Sequence, residues 1–205
     1  MLPVITISRQ FGSGGHEVGE KLARRLDVPF YDKALIAMAA KQSGLSEEVF
    51  AHADEKATSS LLYSMVMGSY SFGARIPSVN EMPINDKLFI IQSDIIKKAA
   101  AEGPCVVIGR CADYILREHE NCLNVFVHAC KEDRIKRSIA KKDCEERKAA
   151  DFVTKKDKQR ANYYNFYSNK RWDDLQNYDI TIDTSRFTID QAVDLLIDAA
   201  HKLDR

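Results

Sequence analysis

The chain has 205 residues, a length that suits one domain or one domain with a small insertion. Its 30 Lys and Arg residues balance its 30 Asp and Glu residues, so net charge gives no support to nucleic acid or an anionic membrane as partner. The five cysteines form no C-x-x-C pair, which favours a reducing, cytoplasmic location. No signal-like segment precedes the first predicted strand and no apolar run approaches the roughly 18 residues of a membrane span, so we expect no membrane partner.

The N-terminal stretch has the pattern strand, glycine-rich loop, helix. Residues 4–7 are apolar, and the helix is indicated by residues at helical spacing, which are Val18, Leu22, Ala23 and Leu26. This arrangement points backbone N–H groups and the positive end of a helix dipole at one place, which favours phosphate binding. We therefore predict that nucleotide phosphates bind at Gly12, Ser13, Gly14, Gly15, His16 and Glu17.

The loop departs from the Walker A motif G-x-x-x-x-G-K-[ST]. In one register Gly15 and His16 stand at the lysine and hydroxyl positions, and in the other register His16 and Glu17 stand there. Neither register supplies a lysine, and a glycine-rich turn without a ligand is the alternative. Arg9, at the end of the first strand, is the predicted substitute, because a guanidinium keeps its charge and can bind two phosphate oxygens. The competing interpretation is that Arg9 pairs with a carboxylate such as Asp32 or Glu17.

Apolar runs alternate with helical patterns along the rest of the chain. After an extended segment at residues 28–32, the predicted strands are 105–108, 123–127 and 179–183, and the predicted helices are 33–43, 88–102, a short one ending at Leu116, 131–148 and 189–203 opened by Thr188. This alternation predicts an α/β fold, a doubly wound parallel β-sheet with flanking helices. Residues 54–86 show no clear pattern, and we place a helical, substrate-side insertion at residues 45–88.

Polar residues follow two of the predicted strands, where a parallel sheet binds its ligands. Gly109 and Arg110 come directly after the apolar run 105–108, and Arg110 could hold a phosphate with two hydrogen bonds or serve as a local ion-pair partner. Asp32 could bind a substrate hydroxyl or a metal-bound water, or could cap the helix that begins at Lys33. No His/Cys cluster has the spacing of a metal site, so no protein metal ligands are predicted.

Basic residues are concentrated in the C-terminal half. Residues 131–171 hold 14 of the 30 Lys and Arg residues against 7 acidic ones. This excess favours a lid at residues 145–171 that closes cationic side chains, Arg160 among them, over transferring phosphates. The alternatives are a solvated helix face and a nucleic-acid patch with stacking tyrosines, and the neutral net charge gives little support to the second.

Taken in order, these segments resemble the cytidylate kinase-like family, relatives of bacterial cytidylate kinase among the P-loop nucleoside monophosphate kinases. The resemblance runs nearly end to end, through residues 5–19, 28–33, 106–110, 125–129 with 132–134, the basic lid and 178–185. It implies one P-loop kinase-like domain over residues 1–205, with ATP and Mg²⁺ at the glycine loop and a closing lid around Arg160. It also implies a nucleotide acceptor near Asp32 and Arg110. The chain departs from the family pattern at the missing lysine and at Met38, where an arginine that grips the acceptor phosphate is expected.

Two functions of different class remain. The first is an ATP-dependent phosphotransferase that moves the γ-phosphate to a nucleotide or another small acceptor. Its catalytic residues would be Arg9, Arg110 and Arg160, and its acceptor-binding residues Asp32, Gly109 and Arg110. The second is a non-catalytic nucleotide-binding regulatory module, which the missing lysine favours and the basic lid opposes. The identity of the acceptor and the oligomeric state, a homo-oligomer included, stay open.

Overall fold

The protein is described as a computed structural model in which residues 2–33 and 84–203 are defined. Most of the predicted helix 33–43, nearly all of the predicted insertion 45–88, and Met38 lie outside these residues. The statements that follow concern the described part of the chain.

Five parallel strands form one sheet in the order β2-β3-β1-β4-β5. The strands are β1 (Val4–Arg9), β2 (Phe30–Tyr31), β3 (Val106–Ile108), β4 (Cys122–His128) and β5 (Ile180–Asp183). The chain starts in the central strand, builds β2 and β3 on one side and then crosses to β4 and β5 on the other. The order therefore reverses beside β1, and the carboxyl end of β1 is the place where such sheets bind ligands. The predicted doubly wound parallel sheet is confirmed.

Helices cover both faces of the sheet. They are α1 (Gly15–Leu26), α2 (Ile84–Glu102), α3 (Ala112–Ile115), α4 (Lys131–Ala140), α5 (Ala149–Ser168) and α6 (Ile189–Lys202). The predicted start of the last helix is confirmed: the Thr188 side chain accepts from the Gln191 N–H, and the Gln191 side chain accepts from the Thr188 N–H. This reciprocal pair satisfies two of the helix's unpaired donors. Among the described helices, none combines the length and the apolar character needed to cross a membrane.

Alternate residues of β1 enter opposite cores, as the two-residue period of a strand requires. Ile5 and Ile7 pack with residues of α1 and α6, including Leu22 and Leu196, all nearly inaccessible to solvent. On the other face, Val4 packs with residues of α2, α3 and β3, among them Ile96, Ile115 and Val107. A third cluster lies between the sheet and α5 and consists of Cys111, Phe126, Tyr164, Trp172 and Tyr178.

The predicted helix 131–148 is wrong, because α4 ends at Ala140 and a separate helix follows. The end is a Schellman motif: the Lys142 N–H donates to the Ile139 carbonyl at 2.9 Å, and the Asp143 N–H donates to the Ser138 carbonyl at 3.0 Å. Lys142 has the left-handed φ of 58° that usually marks a glycine at this position. A short 3-10 turn at Glu146–Lys148 then leads into α5. This break allows α5 to take its own direction and to contact the glycine loop.

Candidate active site

Residues 10–14 form a tight loop between β1 and α1 that requires glycine at two positions. Gly12 and Gly14 have φ values of 75° and 79°, which L side chains rarely adopt. A Cβ on Gly12 would lie 2.6 Å from the Arg134 carbonyl oxygen, and one on Gly14 would lie 2.6 Å from Ile189 Cδ1. Both the backbone conformation and the lack of space therefore exclude larger residues at positions 12 and 14.

Side chains donate hydrogen bonds to three successive carbonyl groups of the loop. Arg134 Nη1 donates to the Phe11 carbonyl at 3.3 Å, and Arg137 Nη1 donates to the Gly12 carbonyl at 3.4 Å. The Thr184 hydroxyl donates to the Ser13 carbonyl at 2.6 Å. In a trans peptide the N–H points away from the C=O, so these bonds direct the N–H groups of Gly12 and Gly14 to the other side of the loop. These bonds fix the conformation of the loop, and backbone donors that share one side of a loop can hold an anion.

A cleft of about 440 Å³ lies along this loop. Five of the six predicted phosphate-binding residues border it, namely Gly12, Gly14, Gly15, His16 and Glu17. Ser13 is fully buried instead, and its hydroxyl donates to the Gln10 carbonyl at 2.9 Å, so this residue shapes the loop. Four cationic side chains, those of Arg9, Arg137, Lys141 and Arg160, also line the cleft, and Asp143 is an acidic residue of the lining besides Glu17.

A smaller cavity of about 60 Å³ adjoins the cleft at the carboxyl ends of β1 and β3. Its lining includes four cationic residues, Arg9, Lys33, Arg110 and Arg160, and none of the described residues that line it is acidic. Arg9 and Arg160 border both the cleft and this cavity. The three arginines that the sequence singled out therefore converge on one place, with two of them at the junction.

Two glycines make room for the Arg9 side chain. A Cβ on Gly15 would lie 2.6 Å from Arg9 Cβ, and a Cβ on Gly109 would overlap the Arg9 guanidinium. Arg9 therefore passes over the first residue of α1 and ends against the turn that follows β3. The sequence suggested Gly109 as an acceptor-binding residue. In the structure its lack of a side chain leaves the space that the Arg9 guanidinium occupies.

The turn after β3 places Arg110 in an uncommon backbone conformation. Gly109, Arg110 and Cys111 have consecutive positive φ values of 69°, 57° and 55°. This conformation costs a non-glycine residue free energy, and such strain is commonest at functional sites. The Arg110 guanidinium lies 5.6 Å from the centre of the Tyr163 ring on α5, a cation–π contact. Burial raises the pKa of Tyr163 to about 12, so its ring remains a neutral partner for the guanidinium at physiological pH.

Helix α5 contacts the glycine loop through two residues one turn apart. Arg160 Nη1 donates to the Arg9 carbonyl at 3.0 Å, and the Arg160 guanidinium lies 5.3 Å from the centre of the Phe11 ring. Asp157 Oδ1 accepts from the Phe11 N–H at 2.7 Å, and its Oδ2 forms an ion pair with the nearly buried Arg134. Sequence reasoning identified Arg160 but missed Arg134, Arg137 and Asp157. For Arg134 and Arg137 the signals were the basic excess of residues 131–171 and, at Arg134, the family resemblance, whereas nothing in the sequence singled out Asp157.

His16 and Asp32 also come together. His16 Nε2 lies 3.2 Å from Asp32 Oδ2, and the imidazole packs edge-on against Phe30. The pair thus joins the first turn of α1 to the end of β2. Within the described residues, no group of three or more His, Cys, Asp or Glu side chains could hold a metal ion.

A parallel sheet of this order, with a glycine loop between the first strand and the first helix, is the architecture of the P-loop kinases. Solved structures share the fold. A shikimate kinase from Bacteroides thetaiotaomicron is 14% identical with a TM-score of 0.54, and the match covers 98% of this chain and 99% of that one. A gluconokinase from Sinorhizobium meliloti 1021 is 14% identical with a TM-score of 0.51, over 97% of this chain and 94% of that one.

A crystal structure of an uncharacterized protein from Eubacterium ventriosum ATCC 27560 is more similar, at 28% identity and a TM-score of 0.73, over 98% of this chain and 99% of that one. The family model of the cytidylate kinase-like family matches residues 4–186. The chain belongs to that family, and the predicted resemblance is confirmed. A comparison with curated proteins found no match.

Proposed function

We propose that the protein is an ATP-dependent phosphotransferase that moves the γ-phosphate to a nucleotide or another small acceptor. The supporting observation is that two adjoining cavities share Arg9 and Arg160. The larger cleft follows the glycine loop and has the volume of a ligand pocket. A phosphoryl group that moves from this cleft to the smaller cavity would pass both guanidinium groups. Phosphoryl transfer depends mainly on positioning and charge stabilisation, which arginines supply without a proton transfer.

Each of the other residues has a role in this proposal. The N–H groups of the glycine loop hold the ATP phosphates, with Arg9 in place of the Walker lysine. Arg110 and Lys33, which border only the smaller cavity of the two, hold the acceptor. Residues 145–171 act as a lid that brings Arg160 onto the phosphates.

Mg²⁺ fits this site chiefly as a partner of the phosphates. At the position where a Walker motif has a hydroxyl, the chain has His16, whereas Mg²⁺ prefers oxygen ligands. Three carboxylates are close, since Glu17 and Asp143 border the cleft and Asp32 contacts His16. Mg²⁺ commonly takes one or two carboxylates together with phosphate oxygens and water, and this donor set allows that. The ion would supply neutralisation of phosphate charge.

The test is release of ADP from ATP and Mg²⁺ across a panel of nucleoside monophosphates, nucleosides and small metabolites. We expect acceptor-dependent release by the parent protein and its loss in Arg160→Ala. Lys155→Ala is the matched control, because Lys155 is an exposed cation on the same helix that borders neither cavity. Failure to bind ATP at millimolar concentration in calorimetry would overturn the proposal.

The second candidate is a regulatory module that binds a nucleotide without turnover. One observation favours it: Gly15, at the lysine position of the first register, has no side chain to offer the phosphates. In the same experiments this function would show as ATP binding in calorimetry without ADP release for any acceptor of the panel.

A further inference from the structure

The smaller cavity contains a buried hydrogen-bond acceptor that nothing in the described part of the chain satisfies. Gln159 Oε1 is shielded from solvent and has no hydrogen-bond partner among the described residues, and Gln159 lines this cavity. Buried carbonyl oxygens are nearly always hydrogen-bonded, because leaving one unpaired forfeits its interaction with water. An orphan acceptor in the wall of a binding cavity therefore indicates a ligand that donates to it.

The two tyrosines that line the cavity beside Gln159 on α5 already have partners. The cavity is lined by one face of α5, which carries Gln159, Arg160, Tyr163 and Tyr164. Residues three or four positions apart lie on the same face of a helix. The Tyr164 hydroxyl donates to the buried Asp113 at 2.6 Å, and the Tyr163 hydroxyl donates to Gln92 Oε1 at 3.3 Å. Neither phenol is therefore directed at a ligand in this cavity.

The four cations of the cavity are donors, yet Gln159 Oε1 is hydrogen-bonded to none of them. Arg and Lys side chains donate hydrogen bonds and accept none, so Arg9, Lys33, Arg110 and Arg160 provide positive charge and donors. This set suits an anionic group. It disfavours an ammonium group, so the donor that pairs with Gln159 should be uncharged. A volume of about 60 Å³ leaves room for only a few non-hydrogen atoms beside Gln159.

We propose that Gln159 selects the acceptor by accepting a hydrogen bond from a hydroxyl group that the acceptor carries close to its anionic group. The acceptor class is then an anionic molecule, a phosphate or a carboxylate, with a neighbouring hydroxyl. This proposal rests on the proposed function only in assigning the smaller cavity to the acceptor. A molecule without the hydroxyl leaves the amide oxygen unpaired and binds more weakly, which is how buried polar groups discriminate between similar ligands.

The single tryptophan of the chain, Trp172, borders this cavity and reports binding by its fluorescence. The probes are inorganic phosphate and two matched pairs: 2-hydroxyethyl phosphate with ethyl phosphate, and 3-hydroxypropyl phosphate with propyl phosphate. We expect the parent to bind the hydroxyl member of at least one pair about fivefold more tightly, the effect of one hydrogen bond. In Gln159→Leu, which keeps the size and removes the acceptor, the ratio should fall to about one while phosphate affinity is retained.

Gln176→Leu is the control, because it makes the same change at an exposed position outside the cavity. A ratio of one for both pairs in the parent, or an unchanged ratio in Gln159→Leu, would overturn the role of Gln159. No response to phosphate would overturn the anion cavity itself. The titration needs no turnover, so absence of ADP release together with a preserved hydroxyl preference would count against phosphotransfer and leave the selection by Gln159 standing.

Discussion

Arg9 occupies the space that a side chain at position 15 would need. A Cβ on Gly15 would lie 2.6 Å from Arg9 Cβ, 3.0 Å from Arg9 Cγ and 3.2 Å from Val127 Cβ. In the Walker register that runs from position 9 to position 16, glycine is first and lysine is seventh. In this chain the order of glycine and cation is reversed, because the first position is arginine and the seventh is glycine. One long cationic side chain fits at the mouth of the loop, and here it comes from the strand rather than from the helix.

Restoring the Walker lysine alone should therefore harm the protein. Gly15→Ala and Gly15→Lys both add a Cβ against the rigid start of the Arg9 side chain, and overpacking of this kind costs roughly 1–3 kcal/mol. We expect lower unfolding free energies in urea for both variants. The double variant Arg9→Gly with Gly15→Lys should recover most of that loss and bind ATP at least as well as Gly15→Lys. The single variant Arg9→Gly completes a double-mutant cycle, and the coupling energy of that cycle is the quantity to measure.

Because Gly15 lies in a helix, the direction of the stability change in Gly15→Ala tests the steric argument. At an unobstructed helix position, Gly→Ala is favourable by roughly 0.5–1 kcal/mol. If Gly15→Ala were as stable as the parent or more so, Arg9 would be able to move aside and the exchange of the two residues would have no steric basis.

Arg9 and Arg110 should differ in which ligand they affect. Arg9 borders both cavities and Arg110 only the smaller one. Arg9→Ala should lose the roughly 1.5–3 kcal/mol of a charged hydrogen bond in ATP binding or in turnover. Arg110→Ala should weaken the binding of the acceptor and leave the ATP affinity measured by calorimetry unchanged. If Arg9→Ala bound and turned over ATP like the parent while Arg110→Ala did not, Arg9 would be structural and the substitute for the lysine would lie elsewhere.

These contacts show what the sequence could and could not predict. The strands, the glycine loop and the convergence of Arg9 and Arg110 follow from local patterns, because apolar runs mark strands and parallel strands end at one edge. The steric conflict between positions 9 and 15 depends on side-chain paths that no spacing encodes. The bond from Asp157 to the Phe11 N–H joins residues 146 positions apart. The end of α4 was missed because Lys142 takes a conformation that its residue type disfavours.

Asp157 should fix the glycine loop to α5. Its carboxylate accepts from the Phe11 N–H at 2.7 Å and pairs with Arg134, whose side chain is 10% exposed. Asp157→Ala would leave a nearly buried guanidinium without its carboxylate, which costs about 3 kcal/mol. We expect this loss in urea unfolding, and faster hydrogen exchange at the loop amides. Asp151→Ala, an exposed acid on the same helix, is the control. Equal stability of the two variants would show that the ion pair contributes nothing to the loop.

The lid should become protected when a nucleotide binds. Residues 145–171 hold trypsin sites at the exposed Lys155 and Lys158. If α5 closes onto the phosphates through Arg160, saturating ATP and Mg²⁺ should slow cleavage at these sites while cleavage after the exposed Arg117 continues at its former rate. Mass spectrometry of the fragments distinguishes the sites. Unchanged cleavage within the lid under saturating nucleotide would indicate that the exposed face of α5 is a plain solvated surface.

The hydrogen bond that joins Tyr164 on α5 to Asp113 on α3 should make stability depend on pH. Burial raises the pKa of the Asp113 carboxyl above its ordinary value of 3.8, and the hydrogen bond from Tyr164 offsets part of this effect. The folded state then holds the proton more tightly than the unfolded state. The contribution of the protonated Asp113 carboxyl to the free energy of unfolding is therefore complete below pH 3.8. It is lost as the pH rises through the raised pKa. Asp113→Asn stays neutral and can still accept from Tyr164. Its unfolding free energy relative to the parent should therefore increase from about pH 4 upward, whereas Asp151→Asn should show no such trend. A constant difference between Asp113→Asn and the parent across this range would mean that the carboxyl titrates alike in the folded and unfolded states.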